Sequence, residues 1–254
     1  MILAADIGNT NIVLGVFDNE KLILTIRIKT DATRTSDEYA INFNSMLKIN
    51  NINISEIDGA IISSVVPNLS MPVSNAVEML IGKTPLIVGP GIKTGLDIRI
   101  DNPSQLGSDI VVDAVSAIHS YGAPAIVIDM GTATTVSAIG PRGEFLGGAI
   151  APGVGISMNA LASSAAQISQ INIENPKKAI GTNTVDCLKS GIVLGYASML
   201  DGLIERFENE IGERCQVITT GGLSGLIAPH CKRKIIHDKD LLINGLLLIY
   251  NKNV

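Results

Sequence analysis

The chain has 254 residues, a formal net charge of -5, and 46% hydrophobic against 17% charged residues. That length allows one large domain or two small ones with a sizeable core. The acidic balance, without any basic block, argues against non-specific nucleic-acid binding. Cys187, Cys215 and Cys231 lack metal-ligand spacing, and His119, His230 and His237 do not cluster. A disulfide framework and a zinc site are therefore disfavoured, and reduced thiols in a cytoplasmic protein are expected. Aromatic residues make up only 3% and Trp is absent, so aliphatic side chains must do the packing, as in an α/β protein with buried strands.

Met1 to Asp6 is apolar but has no basic leader and meets an acid at once, so it reads as a buried first strand and not a signal peptide. Strands are expected near 2–7, 12–18 and 22–29. Thr35-Ser36-Asp37-Glu38 is a capping box opening a helix whose apolar side is Tyr39, Ile41, Phe43, Met46 and Leu47. Residues 60–65 read as a strand. Pro67 opens a helix carrying Val73, Val77, Met79 and Leu80, and 85–88 is another strand. Residues 94–100 alternate in the manner of an edge strand. Asp101-Asn102-Pro103 predicts the start of a helix reaching Tyr121 and joining two halves. Strands follow at 125–129, 134–139 and 145–150, and Gly153-Val154-Gly155 leads into a helix near 156–166. Residues 167–180 are polar and irregular. A long helix or helix pair spans 183–212, with an apolar stretch near 191–204 that is expected to be core. A strand at 216–220 runs into Gly221-Gly222, 234–237 is short and extended, and a helix covers 239–251. No stretch is read as long and apolar enough to cross a bilayer.

One device is written twice at a constant offset. Asp6 aligns with Asp129, Gly8 with Gly131, Val13 with Val136 and Leu22 with Phe145. Each copy is an apolar strand ending in Asp-x-Gly, a small polar turn, a second strand, a polar turn and a third apolar run. That order describes a hairpin with a third strand. It predicts two duplicated domains, 1–118 and 119–254, with a ligand held between them.

The turn Asp6-Ile7-Gly8-Asn9-Thr10-Asn11 offers backbone N–H groups and small polar side chains where a phosphate can approach closely. A carboxylate there suits a magnesium ion or its water shell. A single copy reads equally well as an ordinary turn. The second copy, Gly131-Thr132-Ala133-Thr134-Thr135, repeats the pattern; Thr134 and Thr135 also fit a plain strand, which leaves Thr132 as the ligand candidate. Thr220-Gly221-Gly222 is a strand-to-helix turn where a nucleotide can lie against the backbone, but it lacks dinucleotide-fingerprint spacing. Gln105, Asp109, Asp113 and Ser116 form a polar stripe at helical spacing. Such a stripe reads either as a solvated face or as a working carboxylate, and Asp113 as a like charge raises the proton affinity expected of Asp109.

Asp6-x-Gly8-Asn9-Thr10, Gly107-x-Asp109, Asp129-x-Gly131-Thr132 and Thr220-Gly221-Gly222, in this order and at these separations, resemble the type III pantothenate kinases over essentially the whole chain. The resemblance implies an α/β protein of two duplicated ribonuclease-H-like domains, the actin-like ATPase fold, with ATP in the cleft between them. It implies phosphorylation of pantothenate to 4'-phosphopantothenate, the first step of coenzyme A biosynthesis. Carried over residue by residue, Asp109 is the catalytic base. Asp6, Ile7, Gly8, Asn9, Thr10, Asn11, Ile12 and Val13 hold ATP phosphate, with Thr132, Gly221 and Gly222 also on the nucleotide. Gly107, Ser108, Asp109, Ile110 and Thr184 contact the acceptor, Thr184 reaching it from the second subunit of a homodimer. Asp6 holds magnesium, directly or through water, and Asp129 a potassium or ammonium ion. Pantothenate is the small-molecule partner; nucleic acid and membrane are not expected.

Three positions depart from the family pattern. Ile110 stands where Arg commonly follows the base, Ile100 where Tyr is common, and Ala165-Ala166-Gln167-Ile168-Ser169 where the family has Thr-Ala-x-Leu-Pro. All three fall on the acceptor side. They keep two alternatives in view: a nucleotide-binding transcriptional accessory factor, and a kinase for another small hydroxylated acid.

Overall fold

The computed structural model describes residues 1–164 and 171–254, so the Ala165–Ser169 departure lies outside the described residues. The described chain forms two compact units. The first comprises Met1–Gly95, Asn102–Ser116 and Leu241–Val254; the second comprises Leu96–Asp101 and Ala117–Asp240.

In the first unit, β1 (Ile2–Ile7), β2 (Asn11–Asp18) and β3 (Lys21–Lys29) form an antiparallel meander. β4 (Gly59–Ser64) and β5 (Leu86–Ile87) add in parallel, giving the order β3-β2-β1-β4-β5. The second unit repeats this order. β6 (Ala125–Met130), β7 (Ala133–Ile139) and β8 (Phe145–Pro152) are the meander, and β9 (Gln216–Thr220) and β10 (Ile236–His237) the parallel additions, in the order β8-β7-β6-β9-β10. The repeated Asp-x-Gly device thus marks one topology built twice.

Strand alternation sorts the side chains of the first sheet. Leu3, Ala5 and Ile7 of β1 join Tyr39, Phe43 and Leu47 of α1 (Ser36–Ile49) and Leu69, Val73 and Val77 of α2 (Pro67–Ile81) in one buried cluster. Removing one such side chain, for example by Leu47→Ala, is expected to cost about 2–5 kcal/mol. Asp6 points to the opposite face, the side of Ala4. The capping box of α1 is complete: Glu38 N–H donates to the Thr35 hydroxyl, and the Thr35 N–H donates to the Glu38 carboxylate.

The region before Asp109 differs from the sequence expectation. Pro103–Gln105 is a separate 3₁₀ turn, with the Asn102 side chain accepting from Ser104 N–H. Leu106 is extended, and α3 (Ser108–Tyr121) starts afresh after Gly107. Asp109 therefore lies in the first turn of its helix. The segment 94–100 is not an edge strand. Gly95 takes a positive φ of 77°, and pairing is limited to one bridge, Ile98 with Phe145.

In the second unit, α4 (Val154–Ser164) follows Gly153, and 184–211 is one continuous helix, α5 (Thr184–Ile211), with its N-terminus capped by Asn183. Val193, Ala197, Leu200 and Ile204 of α5 pack with Ile126 and Ile128 of β6, which makes this face core as expected. Contrary to the sequence expectation, α5 does reach the length and hydropathy of a membrane-crossing segment, with 28 residues and a mean hydropathy of 1.3 in its most apolar window. Val193, Ala197, Leu200 and Ile204 bury one face of it in the core, only 22% of that window is buried, and Lys189 and Asp201 fall within it. α6 (Ser224–Ile227) follows β9, and α7 (Leu241–Asn251) belongs to the first unit, where Gly245 lies against Val112 and Ser116 of α3.

Candidate active site

In the first unit, the Asp6 turn is a closed hairpin tip. The Gly8 N–H donates to the Asn11 carbonyl at 3.0 Å, and Asp6 pairs in register with Val13 on one side and Ser63 on the other. Thr30, just past β3, pins the turn from outside: its hydroxyl donates to the Gly8 carbonyl at 2.6 Å and its N–H to the Thr10 carbonyl at 3.0 Å. Asn9 and Thr10 are exposed, while Ile7 and Ile12 are buried in the sheet. The turn thus offers Asn9, Thr10 and backbone groups to a ligand, whereas Ile7 and Ile12 contribute through the backbone only.

Asp109 lies at the start of α3 in the same unit. Its Oδ1 accepts from the Ile110 N–H at 2.8 Å, so the carboxylate folds back onto its own helix terminus. Gly107 makes room for that posture, because a Cβ there would collide with Asp109 Oδ1. Burial pushes the Asp109 carboxyl above the ordinary carboxylate range, while the N–H groups of Ile110 and of Asp109 itself pull the other way. The sequence expectation assigned this rise to Asp113; desolvation is the cause. The polar stripe is not a solvated face either: Asp113 and Ser116 are buried, and Gln105 lies outside the helix. Gly245 of α7 packs against α3 at Val112 and Ser116.

In the second unit, β6 brings Asp129 beside Thr135 of β7 and Thr220 of β9. Gly131 follows, with Asp129 Oδ2 3.4 Å from where its Cβ would stand. Thr132 is exposed and Thr134 fully buried, the division expected of a turn residue and a strand residue. Two further glycines close on this turn. Gly153, ahead of α4, lies against the carbonyls of Gly131 and Thr132, and Gly221, at φ +92°, lies against Asp129 and the Met130 carbonyl. A side chain at Gly221 would fill the space beside the carboxylate, and one at Gly153 would strike the backbone of the turn itself. At Gly221 the Asp129 carboxylate and the Met130 carbonyl come together, oxygen donors of the kind a hard cation takes. Among the described residues there is no group of three or more His, Cys, Asp or Glu side chains that can hold a metal ion.

Gly222 is exposed beyond β9. Thr184 is exposed at the first turn of α5, whose N-cap Asn183 accepts from the Asp186 N–H. The site residues thus gather into two groups. Asp6 to Val13 and Gly107 to Ile110 belong to the first unit, and Asp129, Thr132, Gly221 and Gly222 to the second, with Thr184 on α5. Thr30, Gly153 and the serines at the end of β4 were missed from the sequence. The Ser63-Ser64 run, closing an otherwise apolar strand, was the available signal.

The family model for type III pantothenate kinase matches residues 2–206. The chain belongs to the type III pantothenate kinase family. It is 42% identical over 255 residues to a type III pantothenate kinase of Moorella thermoacetica and 44% identical over 254 residues to one of Halalkalibacterium halodurans, with both chains covered completely in each case. Among solved structures it is similar to a chain described as a conserved Baf family transcriptional activator from Campylobacter jejuni (18% identity, TM-score 0.63, 98% of each chain). It is also similar to component A of (R)-2-hydroxyglutaryl-CoA dehydratase from Acidaminococcus fermentans (14%, 0.56, 98% and 96%). A third likeness is to an inorganic polyphosphate/ATP-glucomannokinase from Arthrobacter (13%, 0.50, 99% of each). At these identities the likeness carries the fold: the α/β architecture of duplicated domains shared by actin-like and sugar-kinase ATPases. As a family member the chain is a kinase.

Proposed function

We propose that this chain transfers the γ-phosphoryl group of ATP to the terminal hydroxyl of pantothenate, giving 4'-phosphopantothenate and ADP at the entry to coenzyme A synthesis. Full-length identity above 40% to type III pantothenate kinases is the observation that carries this reading. Asp109 accepts the proton of the attacking hydroxyl. Its buried position raises its proton affinity, which favours a base over a spectator carboxylate. Phosphoryl transfer asks mainly for positioning and charge neutralisation, so one carboxylate and a well-held triphosphate suffice.

The Asp6 turn, from Asp6 to Val13, holds the phosphates through backbone N–H groups, Asn9 and Thr10. Thr132, Gly221 and Gly222 hold the nucleotide from the second Asp-x-Gly turn. Gly107 and Ile110, on either side of Ser108 and Asp109, flank the acceptor. Asp6 would hold magnesium, which would neutralise phosphate charge when bound, and Asp129 would hold potassium or ammonium, which would supply a fixed positive charge. The Asp129 carboxylate and the Met130 carbonyl, both against Gly221, support the second assignment.

The active form is a homodimer in the cytoplasm. Exposed Thr184, together with Gly191 and Gly195 facing open space on α5, supports a second copy meeting this helix. The deciding measurement is ADP release from ATP with and without pantothenate. Pantothenate-dependent release establishes the activity; release that ignores pantothenate refutes it. Sedimentation at micromolar concentration tests the dimer.

A further inference from the structure

The catalytic helix is fastened to the end of β4 by serine hydroxyls that the activity leaves unexplained. Ser108 Oγ donates to the Ser64 carbonyl at 3.0 Å and accepts from the Ser64 N–H at 3.1 Å. Ser63 Oγ lies 3.0 Å from Ser108 Oγ. Since Ser108 spends its one proton on Ser64, Ser63 is the donor in that contact. The hydroxyl of Ser108 is then saturated, with one proton given and two lone pairs used. A second link extends outward: Ser70 donates to Ser64 Oγ at 2.8 Å, and Ser64 Oγ also accepts from the Val66 N–H at 3.2 Å. This ties the first turns of α2 to the same strand end.

The location gives the network its meaning. Ser63 is wholly buried and pairs in register with Asp6, with its side chain on the same sheet face. Ser108 is the residue immediately before Asp109. Three hydrogen bonds at Ser108, one with Ser63 and two with Ser64, therefore join the strand pair that carries the phosphate turn to the helix start that carries the base. Both groups lie in one compact unit, and the Ser63 hydroxyl is the side-chain part of this junction, beside the two bonds to the Ser64 backbone.

We propose that Ser63 and Ser108 are positioning residues, a hydroxyl link that fixes Asp109 relative to the Asp6 phosphate turn, and that Ser108 does not bind the acceptor. The role rests on the pantothenate kinase reading. Transfer rates fall steeply when reacting groups are displaced by about 1 Å, whereas ground-state binding tolerates it. Loosening the link therefore lowers kcat and leaves KM nearly unchanged. A direct acceptor contact would instead raise the KM for pantothenate.

The test compares wild type, Ser63→Ala, Ser108→Ala, the double variant and Ser108→Thr in steady-state assays with ATP and pantothenate. Each single variant removes one end of the same contact, so either alone suffices if the other does not fold. The expected result is a kcat loss of about tenfold in each single variant, with both KM values within about threefold of wild type. The double variant should be no worse than the poorer single one, and Ser108→Thr should restore most of the rate. Unchanged kcat, multiplicative losses, or a pantothenate KM that rises at constant kcat would overturn the proposal. If wild type does not phosphorylate pantothenate, the functional reading fails by itself. The link is then decided by hydrogen exchange at the Ser64, Ile110 and Val111 amides: faster exchange in Ser63→Ala supports it, and equal protection refutes it.

Discussion

Gly221 lies over Asp129 at a separation that admits no side chain. A Cβ at Gly221 would stand 2.6 Å from Asp129 Oδ1 and 2.6 Å from the Met130 carbonyl oxygen. The glycine is thus required twice, once by this approach and once by its φ of +92°.

Gly221→Ala should therefore disturb the turn that holds Asp129 and Thr132, because backbone atoms cannot step aside as a flexible side chain can. The expected result is a rise of about tenfold or more in the KM for ATP and a stability loss exceeding the ~1–2 kcal/mol of left-handed strain alone. Gly82→Ala is the control. Its φ is also positive, at +67°, but its Cβ would meet nothing within 4 Å. It should show the strain cost and keep the wild-type KM. ATP titrations and denaturant unfolding of the two variants check both statements.

Asp109→Asn should abolish turnover and stabilise the fold at neutral pH. The folded-state pKa of Asp109 is raised by burial, so folding favours its protonated form. Its contribution is fully present below the unfolded value near 3.8 and is lost as pH rises through the folded value. A neutral amide escapes that loss. The variant should melt above wild type at pH 7, with the difference shrinking as pH falls toward 4. A gain that grows on acidification would contradict the burial argument. The acid limb of kcat/KM should likewise lie above the range of an exposed aspartate.

The two sheets were legible in the sequence because their signals are local and repeated: apolar strands, Asp-x-Gly ends and polar turns in register. The Thr35–Glu38 box and Pro67 fixed two helix starts for the same reason. What could not be read depended on partners far along the chain. Thr30 meets Gly8 only because β3 folds back along β2, and Ser108 meets Ser63 only once α3 is docked on β4. The stripe of Asp109, Asp113 and Ser116 resembled a solvated face because helical spacing is blind to α7, which arrives from the other end of the chain and packs against Val112 and Ser116. The true start of α3 was hidden because Asn102-Pro103 is an equally good signal for the short 3₁₀ turn that precedes it.

Asp129 is the expected seat of the monovalent cation. Wild type should be activated at least tenfold when potassium or ammonium replaces a bulky organic cation at constant ionic strength. Asp129→Asn should lose that difference, because the neutral amide no longer offsets the cation's desolvation. Initial rates across a potassium series in both proteins decide the matter. A wild-type enzyme indifferent to both ions would remove the assigned role.

Thr30→Val should loosen the phosphate turn without unfolding the sheet. Valine suits a strand end and keeps the N–H that bonds Thr10, but it loses the 2.6 Å bond to the Gly8 carbonyl. One such hydrogen bond is worth about 0.5–1.5 kcal/mol, so a severalfold rise in the KM for ATP is expected, and Thr30→Ser should reverse it. A pantothenate KM that moves instead would place Thr30 on the acceptor side.

Thr132 and Thr134 stand two residues apart and should respond oppositely to the same change. Thr132 is exposed on the turn, whereas Thr134 is fully buried and its Oγ1 has no hydrogen-bond partner among the described residues. Thr134→Val replaces an unsatisfied buried hydroxyl with a methyl of similar shape. It should be neutral or stabilising by up to about 1–3 kcal/mol, with activity retained. Thr132→Val removes an exposed polar group offered to ATP. Its KM for ATP should rise severalfold while the pantothenate KM holds. Melting curves and two-substrate kinetics on both variants separate these outcomes, and a Thr134→Val enzyme with weakened ATP binding would reverse the assignment of the two threonines.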